Sequence, residues 1–104
     1  MNAGNFMLSE SFLRKMIEKI KEAAKPQKII LFGSVVRRDM RRSSDIDLAI
    51  KGITAREAEK IKGILNEEID TLKDFDVLSL DDMENDRLKK RILEEGKVIY
   101  ERNA

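Results

Sequence analysis

Apolar residues near the start of the chain repeat at spacings of three and four, which is the period of one face of an α-helix. This stripe predicts a helix from about Glu10 to Ala24, with Ser9 as its N-cap. Pro26 follows, and we expect it to end the helix because proline disfavours helical geometry in the residue before it. The apolar positions of the stripe are Phe12, Met16, Ile17, Ile20 and Ala24.

Four short segments have the composition or the alternation of β-strands. The run Lys28–Phe32 is apolar and stops at a glycine, as a buried strand stops at a turn. In Asp45–Ile50 and Asp74–Ser79, apolar positions alternate with aspartates, so that one face of each strand is expected in the core and the acids lie on the other. A last short strand is predicted at Lys97–Tyr100.

Two longer helices are predicted between these strands. Thr54 and Glu57 form a capping-box pattern, and apolar residues at helical spacing then predict a helix over Ala55–Leu72. A second cap is predicted at Asp81. It opens a helix that ends at Gly96.

Together with a short helix expected after Gly33, these elements have the order αβαβαβαβ. Such an alternation predicts a fold of the α/β (α+β) class, in which helices pack on a small mixed sheet. The length of 104 residues is typical of one domain. We therefore expect a single domain over residues 1–104, without a second lobe to bind a large substrate.

The composition narrows the chemistry that is available. The chain has no cysteine and no histidine, so that any catalysis falls to carboxylates, hydroxyls and cations. A formal net charge of +1 argues against a general nucleic-acid binder. No apolar run reaches the ~20 residues of a membrane span, and the first residues lack the pattern of a secretory signal. We therefore expect a cytoplasmic protein that does not bind membranes.

The turn after the first strand has the composition of a phosphate site. Gly33 and Ser34 would place a backbone without a side chain, and then a hydroxyl, at the start of a short helix. Backbone N–H groups point outward at such a helix start, and glycine lets a phosphate approach closely. A Gly-Ser pair by itself is also a very common turn, so that this interpretation depends on a second motif.

The second motif is an Asp-x-Asp pair on a strand. Asp45 and Asp47 lie two residues apart, so that their carboxylates share a face and stand about 7 Å from each other. Two like charges at this distance are stable only if they are solvated or bind a cation. Magnesium suits the pair because it prefers oxygen ligands and commonly bridges carboxylates and phosphates. The alternative is a strand with one wet face.

A third carboxylate on a neighbouring strand would complete a metal site. Asp76 has the required alternation, between Phe75 and Val77. Asp74 shares its face but lies at the corner between helix and strand, where acids are ordinarily solvated. We therefore favour Asp76 over Asp74, with an ordinary surface carboxylate as the alternative for either.

These residues together resemble the signature of the DNA polymerase beta-like nucleotidyltransferase superfamily, and most closely that of the minimal nucleotidyltransferases. The resemblance in length and element order covers nearly the whole chain. Val35 stands where an arginine is common and Arg38 where a glycine is common, so that the phosphate contacts of this loop are expected to differ. The matching positions are Gly33-Ser34, Arg37, Ser44-Asp45-Ile46-Asp47-Leu48 and Phe75-Asp76-Val77.

The resemblance implies a mechanism and a set of ligands. Two magnesium ions would bind the triphosphate of ATP and activate a hydroxyl for in-line attack on its α-phosphate, and pyrophosphate would leave. Gly33 and Ser34 would hold the outer phosphates, and Arg37 would offset their charge. The metal ligands and catalytic residues implied are Asp45, Asp47 and Asp76.

The resemblance also implies a partner. Minimal nucleotidyltransferases are frequently encoded with a small all-helical HEPN ribonuclease toxin and serve as its antitoxin, by transferring AMP to a toxin tyrosine or by forming a complex. We therefore expect an adenylyltransferase antitoxin. The alternative is a binding module that masks a toxin without catalysis, which Arg38 favours. Direct binding of nucleic acid is not expected, because the arginines from Arg37 to Arg42 are explained by phosphates or an acidic partner.

Overall fold

The computed structural model describes residues 8–33, 45–71 and 73–103. Within them the chain forms three helices and four strands in the order α, β, β, α, β, α, β. The short helix expected after Gly33 lies outside the described residues. The elements are α1 (Glu10–Ala23), β1 (Lys28–Phe32), β2 (Ile46–Lys51), α2 (Ala55–Glu68), β3 (Phe75–Ser79), α3 (Asp86–Glu95) and β4 (Lys97–Glu101).

The four strands form one mixed sheet in the order β3-β2-β1-β4. Strand β1 pairs antiparallel with both β2 and β4, whereas β2 and β3 run parallel. A parallel pair needs a crossover connection, and α2 provides it. The predicted fold class, a small mixed sheet covered by helices, is confirmed.

One face of the sheet carries the main core. Helices α1 and α2 pack on it through stripes that include Met16 and Ile20 in α1 and Ile61 and Leu65 in α2, all of them buried. The alternation of β2 places two isoleucines and one leucine on this face. From the strands, the side chains of this core are Ile29, Leu31, Ile46, Leu48, Ile50, Phe75 and Val77.

The opposite face has a smaller core under α3. Ile92 of α3 is buried there against Ile30, Ala49 and Leu80, with Phe32, Met83 and Leu88 partly buried around them. On this face the carboxyl end of β1 and the starts of β2 and β3 carry the partly exposed Phe32, Asp47 and Asp76, so that this corner is more open than the face covered by α1 and α2.

The helix starts at Ser9 and Thr54 are confirmed. The Ser9 hydroxyl accepts a hydrogen bond from the Phe12 N–H, and Thr54 and Glu57 complete a reciprocal capping box. In α1 the predicted stripe omitted Leu13, which is buried.

The predicted cap at Asp81 is wrong. Helix α3 begins later, and the Asn85 side chain accepts from the Leu88 N–H as its N-cap. Asp81 is engaged elsewhere, because its carboxylate accepts a hydrogen bond from the Gly52 N–H at 3.0 Å. That interaction joins the loop after β3 to the loop after β2, which no local pattern indicates.

Helix α2 ends at Glu68, short of the predicted Leu72. Ile69 leaves the helix in an extended conformation and stays buried in the main core. Two residues before the end, Asn66 accepts a hydrogen bond from the Phe75 N–H at 2.8 Å and donates one to the Phe75 carbonyl at 3.1 Å. The amide thus ties the end of the helix to the start of β3.

Other boundaries differ by one residue. Helix α1 ends at Ala23, with Ala24 as its C-cap. Strands β2 and β3 begin at Ile46 and Phe75, each one residue after its predicted aspartate, and β4 extends to Glu101.

Candidate active site

Two of the predicted carboxylates lie side by side on the sheet. In the parallel pairing of β2 with β3, Asp47 is the register partner of Asp76. The neighbours of both aspartates along the chain are buried on the other face, so that the two acids project to the face that carries α3. Both are partly exposed. The pairing of two strands distant in sequence therefore brings together the two central members of the predicted triad.

Gly33 lies directly beside the Asp47 side chain. It follows Phe32, which is the antiparallel register partner of Asp47, and its φ of 82° lies in the left-handed region that favours glycine. A Cβ built on Gly33 would collide with the carboxylate of Asp47. A side chain at position 33 would therefore need the space that the carboxylate of Asp47, a candidate metal ligand, already occupies.

A lysine missed in the sequence partly balances the charge of the pair. Lys62 of α2 places its Nζ 3.6 Å from Oδ1 of Asp76, and the two side chains are 43% and 48% exposed. Two adjacent carboxylates repel each other, and a nearby cation offsets part of this repulsion. One indication of this position was present in the sequence. Lys62 directly follows Ile61, so that it lies at the edge of the buried apolar stripe of α2.

The remaining candidate acids lie at the strand starts. Asp45 and Asp74 are exposed and directly precede β2 and β3. The Asp74 carbonyl accepts a hydrogen bond from the Ile46 N–H at 2.8 Å, which extends the strand pairing to this corner. Across residues 8–33, 45–71 and 73–103, no three acidic side chains are gathered closely enough to hold a metal ion. The structure thus joins Asp47 to Asp76 without closing a triad around Asp45.

The carboxylate pair still fits a hard divalent cation. Asp47 and Asp76 provide oxygen ligands from adjacent strands, both reachable by solvent, and Gly33 adds no side chain beside them. Magnesium commonly uses one or two protein carboxylates and completes its shell with water or substrate phosphates. A closed cage of protein ligands is therefore not required.

A cavity of about 320 Å³ adjoins Asp47. One wall is the end of β1 with the Asp47 carboxylate, and the other is a face of α3 that carries a cation and an acid. None of the α3 residues was predicted to belong to the site, because their distance from it depends on how α3 packs on the sheet. The cavity is lined by Phe32, Gly33, Asp47, Leu88, Arg91, Ile92 and Glu95.

Ser34 and Arg37, the predicted phosphate-binding partners of Gly33, lie outside the described residues. The departures Val35 and Arg38 lie there too, as does the arginine cluster up to Arg42. Their predicted roles stay predictions.

A mixed sheet with paired carboxylates beside a glycine turn is the arrangement expected of a nucleotidyltransferase. Residues 14–104 match the family described as polymerase beta, nucleotidyltransferase, and the chain belongs to this family. The superfamily predicted from the motifs is thereby confirmed. No curated relative matches the chain.

Two of the solved structures with the same fold are of toxin-antitoxin pairs. A chain from the crystal structure of a toxin-antitoxin with AMP-PNP aligns with a TM-score of 0.75 at 24% identity, covering 88% of this chain and 74% of that one. A chain from a mutant of the toxin-antitoxin MntA-HpeT aligns with a TM-score of 0.71 at 22% identity, over 88% and 74%. At these identities the likeness shows the fold.

None of the three helices in the described part of the chain has both the length and the hydrophobicity of a membrane span.

Proposed function

We propose that the chain is a magnesium-dependent nucleotidyltransferase that moves AMP from ATP to a hydroxyl group and serves as the antitoxin of a HEPN toxin. The observation that carries the proposal is the register of Asp47 with Asp76 beside the side-chain-free Gly33. Family membership supports the reaction class. The fold shared with chains of toxin-antitoxin crystals, one of them with AMP-PNP, supports the partner and the nucleotide.

In the proposed site Asp47 and Asp76 hold magnesium, with Asp45 joining from the start of β2. The metal would supply positive charge for the triphosphate and acidity for the attacking hydroxyl. Asp76 would lie beside that hydroxyl and help to remove its proton. Because its carboxylate is half-exposed, an incoming acceptor can reach it.

Gly33 has a different task, which is to admit the phosphates. The turn that it opens presents backbone without a side chain next to Asp47, so that a phosphate can approach both. In the proposal, Ser34 and Arg37 continue this contact from the following residues. The acceptor we propose is a tyrosine hydroxyl of the toxin, and the fold shared with chains of toxin-antitoxin crystals supports a toxin as the partner that supplies it.

The test is a transfer assay with the HEPN protein encoded beside this chain, magnesium and ATP labelled at the α-phosphate. Asp47→Asn keeps the size of the side chain while removing the charge, so that we expect label on the toxin to fall at least about 100-fold. Glu18→Gln is the matched control, because Glu18 is an exposed acid on α1, across the sheet from the site. Equal transfer by Asp47→Asn and the control would refute the assigned site.

A second function, masking of a toxin without catalysis, is favoured by the ion pair of Lys62 with Asp76. The Lys62 ammonium already offsets part of the charge of Asp76 in the absence of a metal ion. In this case a stable complex would form without label, and Asp47→Asn would protect cells from the toxin as well as the wild type does. Loss of protection in Asp47→Asn, together with loss of label, would exclude it.

A further inference from the structure

The cavity beside Asp47 has walls of opposite character. On the sheet side lie Gly33 and the Asp47 carboxylate, and on the helix side lie Arg91 and Glu95 of α3. A metal-bound triphosphate is an anion with cations attached, so that a site for it needs carboxylates toward the metal and a cation toward the phosphate oxygens. Among the described residues that line the cavity together with Asp47, Arg91 is the cation.

The Arg91 side chain is available to a ligand. It is 67% exposed, and its ion pair with Glu95 joins Nε to a carboxylate oxygen over 3.7 Å, one helical turn along α3. Exposed pairs of this kind are weak and are readily exchanged for a better partner. A guanidinium has five N–H donors in a planar fork that matches two phosphate oxygens at once. Arg91 can therefore exchange Glu95 for a phosphate.

The volume also suits phosphates. Sites that enclose whole small-molecule ligands start at about 300 Å³. At about 320 Å³ this cavity has room for a triphosphate group, with a nucleoside extending toward solvent. We propose that Arg91 binds the outer phosphates of the nucleotide whose metal is held by Asp47 and Asp76, an inference that rests on the proposed function.

The test compares the affinities of ATP and AMP for Arg91→Gln, measured by calorimetry with magnesium at constant ionic strength and without an acceptor protein. A charge-assisted hydrogen bond to phosphate predicts that Arg91→Gln weakens ATP binding by about 10-fold or more. AMP lacks the outer phosphates, so that its affinity should change by less than about 2-fold. Arg91→Lys should restore part of the ATP affinity, because it keeps the charge without the fork.

Lys90→Gln is the matched control. Lys90 is exposed on the same helix, carries the same charge and does not line the cavity. Arginine, lysine and glutamine have similar helix propensities, so that both variants should unfold at the wild-type temperature. ATP affinity unchanged in Arg91→Gln, or weakened equally for ATP and AMP, would overturn the role of Arg91 while the proposed function stands. Wild-type protein that binds no ATP would overturn both.

Discussion

Replacing Gly33 with alanine should change both the stability of the fold and the geometry of the candidate metal site. At φ 82° an alanine side chain is strained whatever the space around it, and here the added Cβ would also collide with the Asp47 carboxylate. The carboxylate must therefore turn away from the glycine, or the turn after β1 must open. Either change should weaken the binding of a metal ion that Asp47 shares with Asp76.

Alanine substitutions at two other glycines serve as comparisons for the size of this effect. A left-handed conformation costs an alanine about 1–2 kcal/mol, so that we expect Gly33→Ala to lower the free energy of unfolding by about 1–3 kcal/mol once the collision is added. Gly52 has a φ of 94°, and its added Cβ would lie 2.9 Å from the Gln27 backbone nitrogen, away from Asp47. Gly52→Ala should thus lose a similar amount. Gly63 lies within α2 in open space, where alanine should add about 0.5–1 kcal/mol.

Urea unfolding measures the stability of the three variants, and titration with Mn²⁺ followed by electron paramagnetic resonance measures metal affinity. We expect Gly33→Ala and Gly52→Ala to unfold at lower urea concentrations, whereas only Gly33→Ala loses Mn²⁺ affinity. Equal affinities in these two variants would show that Gly33 acts on the fold alone. Wild-type stability in Gly33→Ala would refute the assigned backbone geometry.

Three further predictions concern single interactions. Ser79→Ala removes a buried hydroxyl that both donates and accepts a hydrogen bond. We therefore expect urea unfolding to show a free energy of unfolding lower by about 1–3 kcal/mol, and a decrease below about 0.5 kcal/mol would contradict this. Lys62→Met frees Asp76 from a competing cation, so that Mn²⁺ affinity should rise severalfold, and an unchanged or lower affinity would count against that competition. The Glu68 carboxylate raises the pKa of Lys19 above its usual 10.5, so that the stability from this pair is complete below pH 10.5 and is lost as the pH rises through the raised value. Glu68→Gln should flatten the fall in unfolding free energy over that alkaline range, and an equal fall in both proteins would refute the coupling.

The candidate site could be predicted in part because its carboxylates lie on strands. Alternation with period two put Asp47 opposite its buried neighbours and did the same for Asp76, and the structure places both as expected. Lys62 and Arg91 could not be found in this way. Each belongs to a helix, and its distance from the aspartates depends on how that helix packs on the sheet.

Errors at the ends of elements have the same origin. Capping at Ser9 and Thr54 was predictable, because a cap and its partner lie three residues apart. The start of α3 was not, since Asp81 pairs with the distant Gly52 N–H instead of capping a helix. The end of α2 likewise depends on contacts with β3.

The sequence by itself determined the order of the elements that the structure describes, the buried face of each and the presence of several acids on strands beside a glycine turn. These properties depend on neighbours within a few residues along the chain. Only the tertiary structure decided that Asp47 is the register partner of Asp76, that Lys62 reaches this pair and that α3 forms a cavity with Gly33. Strand register and helix packing are set by hydrogen bonds and core contacts between distant segments, so that no local pattern contains them.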